Sequence, residues 1–231
     1  METIAHGLSD GFKLLISFDP ELYSIIALSL MVSGGAVLIA AVLGGGLGIA
    51  VALHHFPGRR LLTNLLNTLM GLPPVVVGLI LYLLLSRSGP FGFMELLFTP
   101  VAMLFAQTIL ATPIVAALTV SAVSGVPPQV RETALGLGAS DRQALWLIIK
   151  EARFAIMAAV IAGFGRVIAE VGAVMMVGGN IKSYTRVMTT AIVLDTSRGD
   201  FRTAIALGLV LITLSFLLNM ALQALQGRVE S

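Results

Sequence analysis

The sequence predicts an all-α polytopic membrane protein. Three observations carry this. Of its 231 residues 57% are hydrophobic and only 11% are charged, against roughly 25% charged in an ordinary soluble domain. So few charges could not cover a soluble surface, and disorder would need the opposite composition. The mean hydropathy is +0.99, and the apolar stretches are continuous rather than alternating, which excludes an outer-membrane barrel. The 24 glycines and 6% aromatic content suit close helix packing in lipid.

Each span follows from a charge-free stretch. Residues 22–53, 61–86, 96–130 and 203–227 carry no charge, and each exceeds the roughly 20 residues that cross a bilayer. A fifth apolar region, 154–178, is interrupted by Arg166 and Glu170. Five transmembrane helices are expected, near 24–53, 62–86, 97–123, 154–178 and 203–226, in one transmembrane domain over 21–227. An odd number places the termini on opposite sides.

Ahead of them, residues 1–20 form a separate N-terminal segment. Ile4, Leu8, Phe12 and Leu15 recur at helical spacing, with Ser9, Asp10 and Lys13 elsewhere on the wheel. This is either a short amphipathic helix in the interface or a partly ordered terminus. A signal peptide is a poor fit, because the basic n-region is missing.

By alternation, 54–60, 125–153 and the C-terminal tail share one side. They hold seven basic residues against six on the other, a slight lean toward the cytoplasm. The net charge of +2 belongs to these few interface charges and points to no nucleic-acid partner. With no cysteine, thiolate metal sites are excluded, and His6, His54 and His55 show no ligand spacing.

Gly44 and Gly48 form a GxxxG pair in the first span, a spacing that lets helix backbones approach. No Lys-Ser/Thr follows the glycines, so a phosphate loop is rejected. Pro73-Pro74 and Pro113, the latter beside Thr112, interrupt the hydrogen-bond ladder within the second and third spans. They are either simple kinks or part of a substrate path.

The polar segment 125–153 is the most informative. Pro127-Pro128 can open a helix over 129–137, and Gly138 stops it. Ser140 then caps a second helix, with Gln143 as its capping-box partner. Arg131, Glu132, Asp141 and Arg142 fall on the exposed side. Such an element is either a dock for a soluble partner or an ordinary amphipathic loop.

Glu132-Thr133-Ala134, three residues, Gly138, nine residues and Ile148 resemble the EAA motif of ABC importer permeases. Thr133 replaces the middle alanine, and Lys150-Glu151 stands where Leu-Pro is usual. The resemblance implies a type I importer permease with 125–153 and the C-terminus cytoplasmic. It also implies that the coupling helix, carrying Arg131, Glu132, Ala134, Gly138, Ala139, Ser140 and Asp141, seats in a separate ATPase dimer. ATP is then bound by that partner, and the chain itself holds no cofactor.

Gly71-Leu72-Pro73-Pro74 through Gly78, with Gly89-Pro90-Phe91-Gly92, resembles the second span of molybdate, tungstate and sulfate permeases. Arg166 to Ala173, followed by Gly179-Asn180-Ile181, resembles their fourth. Residues 182–191 and 196–201 are most similar to the tungstate branch. The resemblance implies a homodimeric permease in a prokaryotic plasma membrane, supplied by an extracytoplasmic solute-binding protein and carrying an oxyanion, most simply tungstate, with molybdate or sulfate as alternatives.

Arg166 and Glu170 stand four apart, on one helix face. A charge in the bilayer centre costs about 2.5–3.5 kcal/mol on insertion scales, so the two should find partners. They are either a structural intrahelical pair or, with Pro73, Pro74 and Thr112, part of the path and gate. Lys182, Arg186 and Arg198 in the outer loop 179–202 either dock the binding protein or form a self-paired solvated surface. A self-sufficient secondary transporter would require inverted repeats, which are not visible. An intramembrane enzyme would require a catalytic motif, and none is present.

Overall fold

The computed structural model describes residues 11, 13–54 and 56–226. It is all helical apart from turns and one short 3-10 segment, Gly92–Met94. Four helices open on a proline: α1 (Pro20–Leu53), α3 (Pro74–Leu85), α4 (Pro100–Ser124) and α5 (Pro128–Gly136). The first turn of a helix has no use for the N–H that proline lacks, and proline's fixed φ is already helical. The others are α2 (Arg59–Met70), α6 (Asp141–Glu151), α7 (Arg153–Ile168), α8 (Gly172–Gly178), α9 (Met188–Arg198) and α10 (Phe201–Gln226).

Among the described residues three helices, α1, α4 and α10, are each long and apolar enough to cross a membrane. At 34 residues α1 is about 51 Å long, well beyond the hydrocarbon thickness. The expected spans 62–86 and 154–178 are corrected: each is a bent pair of helices, α2 with α3 and α7 with α8, and counting each pair as one span gives five. The first break has a local cause. Pro74 pushes Pro73 out of the helical region, to ψ 117, and α2 ends at Met70 with Gly71 as its cap.

Of the N-terminal segment, Ile4, Leu8 and Phe12 lie outside the described residues. Residues 13–16 are helical. Gly11 is buried so closely on α10 that a Cβ there would stand 3.1 Å from the Ala206 nitrogen.

The chain divides into two compact units. One takes the described part of Met1–Ala36 with Pro73–Thr108 and Gly165–Leu218. Leu22, Ile25, Ser29, Val32 and Ala36 of α1 are buried in it, spaced three and four apart as one face of a helix requires. The Ser29 hydroxyl accepts from the Met188 amide at 2.8 Å, fixing the start of α9. In the same unit α3 packs along α8, where a Cβ on Gly78 would come within 2.8 Å of the Ala173 Cα.

The second unit takes Val37–Leu72, Ile109–Phe164 and the described part of Asn219–Ser231. Its core gathers Val51 of α1, Leu66 of α2 and Ala116, Ala117 and Val120 of α4, with Leu62 and Met70 against them. The GxxxG pair acts here. A Cβ on Gly44 would stand 2.5 Å from the Thr112 carbonyl oxygen, and one on Gly48 would stand 2.6 Å from that of Ala116. Only glycine lets α1 and α4 lie backbone to backbone at this crossing.

Candidate functional site

The segment 125–153 forms the helix, turn and helix that its capping residues predict. Pro127 caps α5, and Ala134 faces inward. The helix ends in a Schellman turn: Ala139 N–H donates to the Ala134 carbonyl at 3.0 Å and Gly138 N–H to that of Leu135 at 2.9 Å. Gly138 takes φ +87, which a Cβ makes costly. The Ser140 hydroxyl then accepts from the Gln143 amide at 3.4 Å, and Gln143 Oε1 accepts from the Ser140 amide at 2.7 Å. This is a complete capping box on α6.

One ion pair clips the two helices together. Arg131 donates to Asp141 Oδ1 at 2.7 Å across the turn. Both side chains are exposed, so the clip is worth no more than about 1 kcal/mol and acts on geometry. Arg131, Glu132, Asp141 and Arg142 are exposed as expected. Leu137 and Trp146 are also exposed, at 84% and 65%. Two large apolar side chains held out from a polar segment are what a partner surface needs at its centre. The polar pattern alone did not single them out.

The second candidate region is the break between α7 and α8. Arg166 and Glu170 do pair, Nη1 to Oε2 at 3.0 Å. The intrahelical arrangement is corrected, however: α7 ends at Ile168, and Glu170 stands in the unwound residues beyond it. Its second oxygen, Oε1, accepts from the Ala173 amide at 3.2 Å and so caps α8. Its carbonyl accepts from Thr189 Oγ1 at 2.8 Å. Glu170 is 5% exposed, and these bonds offset the cost of burying it. Gln107 of α4 donates to the Val167 carbonyl at 3.1 Å, tying down the end of α7.

Pro73 and Pro74 lie close by. A Cβ on Gly172 would meet both the Val75 side chain, at 2.6 Å, and Glu170 Oε1, at 3.4 Å. Thr112 belongs to the other unit, half-buried beside Pro113. The residues sequence reasoning missed are Gln107, Thr189 and Gly172. Gln107 had a signal, being a strong polar side chain within a charge-free apolar run. Thr189 had none, since its partner is nineteen residues away.

The third region is a charge cluster around 179–202. The stretch 179–202 is not all loop, since α9 occupies 188–198. Lys182 pairs with Glu21 of α1 at 2.9 Å rather than within its own loop. Arg186 donates to Asn180 Oδ1 at 3.3 Å. Lys182, Arg186 and Arg198 line a cavity of about 280 Å³ together with Asp19, Glu21, Asp195 and Asp200. Burial raises the Asp195 carboxyl above its ordinary value, and Asp200 adds to this, while Arg186 and Arg198 pull it down. Carboxylates outnumber the cations by one, so the cavity is a mixed-charge surface, not an anion trap.

Long apolar helices, two bent helix pairs and an exposed clipped helix pair are the architecture of a polytopic α-helical membrane protein. Residues 44–231 match the family described as binding-protein-dependent transport system inner membrane component. The chain belongs to that family; it is a multi-pass inner-membrane permease subunit and not an enzyme. It is 46% identical over 226 residues to a tungstate uptake system permease protein of Peptoclostridium acidaminophilum, covering 98% of this chain and 99% of that one. It is 39% identical to the tungstate uptake system permease protein of Campylobacter jejuni, covering 91% and 90%. The fold is also that of a bacterial alginate ABC transporter crystallised with an alginate-bound periplasmic protein, with a TM-score of 0.71, 16% identity and coverage of 99% and 89%.

Proposed function

We propose that this chain is the permease subunit of an ATP-driven importer for tungstate. The observation that carries the substrate is the 46% identity to a tungstate permease over nearly the whole of both chains. In this reading residues 21–227 act as one permease domain behind an amphipathic segment 1–20. Two copies assemble about the anion path, with 125–153 and the C-terminus cytoplasmic.

Each copy seats α5 and its turn on one subunit of an ATPase dimer. Arg131, Glu132, Asp141 and the exposed Leu137 and Trp146 supply the contact, while Ala134, Gly138, Ala139 and Ser140 hold its shape. ATP-driven closure of the dimer moves the two helix pairs together and rocks the spans between inward- and outward-open states. Arg166 and Glu170, with Pro73, Pro74 and Thr112, form the path and gate. Glu170 repels a dianion, so the permease offers passage and selectivity rests with the binding protein. Lys182, Arg186 and Arg198 belong to the surface that receives it.

The test is uptake of labelled tungstate into proteoliposomes holding this chain, its ATPase and its binding protein. Uptake should require all three and ATP, and excess tungstate should compete better than molybdate or sulfate. Uptake without the ATPase overturns the importer reading. Stronger competition by sulfate or molybdate overturns the substrate alone.

A further inference from the structure

Arg59 lies in none of the three regions above, yet it joins three helix ends. It is the first residue of α2. Its Nε donates to the Val51 carbonyl at 2.8 Å and its Nη2 to the Ala52 carbonyl at 3.0 Å. These are two of the last four carbonyls of α1, which have no partner within their own helix. A guanidinium fork suits two adjacent carbonyls, and its charge suits a helix C-terminus. The same Nη2 reaches the Ser124 hydroxyl at 3.4 Å. Ser124 is the last residue of α4, and only residues 125–127 separate it from α5.

The placement matters for how a push is shared. A displacement of the α5–α6 pair enters α4 through that short linker and α7 through Ala152. The α1–α2 corner receives it through side chains. The apolar cluster of Val51, Leu66 and Val120 joins the same three helices; it resists separation but, being non-directional, resists sliding less than a hydrogen-bonded clamp. We propose that Arg59 is a positioning residue for transport, holding the α1–α2 corner to the end of α4 so that both move with the segment 125–153. This rests on the reading of that segment as the ATPase contact.

The chain has no cysteine, so paired spin labels can be placed without background. Leu61→Cys on α2 and Gln129→Cys on α5 are both exposed positions. In reconstituted transporter with ATPase and binding protein, the 61–129 distance should be the same with and without bound ATP. In Arg59→Gln it should change on ATP binding. The ATPase should still co-purify, while anion carried per ATP hydrolysed falls about tenfold, an ordinary size for a coupling effect. Arg59→Lys should recover part of the loss, since an ammonium reaches one carbonyl.

An unchanged distance and an unchanged transport-to-hydrolysis ratio in Arg59→Gln overturn the inference. If Arg59→Gln fails to insert, Ser124→Ala decides: it removes only the α4 leg, and an ATP-dependent distance change supports the clamp whereas none overturns it. Uptake by the unsubstituted chain without any ATPase overturns the underlying reading, and the inference with it.

Discussion

Glu170 shows how one residue can serve as charge partner, helix cap and backbone anchor at once. Its carboxylate is shared between Arg166 and the Ala173 amide. Glu170→Gln keeps an acceptor for that amide, whereas Glu170→Ala leaves it unmet. The alanine variant should lose about 1–3 kcal/mol and the glutamine variant less, read as the order of melting temperatures in detergent. Asp195 makes a pH prediction. Its folded pKa is raised, so the protonated form is favoured by folding. Stability from this group is full below the unfolded value, roughly 3.9, and is lost as pH rises through the raised folded value. Melting curves of the unsubstituted protein should therefore fall relative to Asp195→Asn as pH increases across that window. A constant difference across pH would refute this. The i, i+4 spacing made the Arg166–Glu170 pair legible in the sequence. That Glu170 had left the helix was not, because Thr189 and Gln107, which hold that region, come from distant stretches.

At the scale of elements, the α5–turn–α6 unit is almost wholly local. Proline, a left-handed glycine and a capping box lie within sixteen residues, and each acts on its own backbone. Ser140→Ala should cost about 1 kcal/mol through loss of the cap. A left-handed residue with a Cβ costs about 1–2 kcal/mol, least for asparagine. ATPase co-purification should therefore fall in the order Gly138, Gly138→Asn, Gly138→Val, with the chain still inserted. Nothing beyond its own chain neighbours lies within 4 Å of a Cβ at 138, so loss in Gly138→Asn as complete as in Gly138→Val would point to a contact surface instead of the turn's shape. The two helix breaks differ in legibility. Pro73-Pro74 announces the first. The second, at 169–171, has no breaker residue and exists because Glu170, Thr189 and Gln107 satisfy its freed backbone.

For the whole molecule, the solvent is set by composition and the packing by small residues. Gly48→Leu should lower stability by about 1–3 kcal/mol, since the added side chain must force α1 from α4. Gly46→Ala, with open space at its Cβ, should not lower the melting temperature, since alanine is the better helix former. Equal effects would mean that the glycine run acts through flexibility and not through contact. By itself the sequence determined the membrane environment, the approximate spans, the capped helix pair and the family, because hydropathy, capping and motif spacing are local properties. Only the tertiary structure decided that two of the apolar stretches are bent helix pairs, that Lys182 reaches back to Glu21, and that Arg59 joins α1, α2 and α4. Those depend on which distant groups meet a freed carbonyl or an unpaired charge, and a buried polar group accepts whatever partner the fold brings to it.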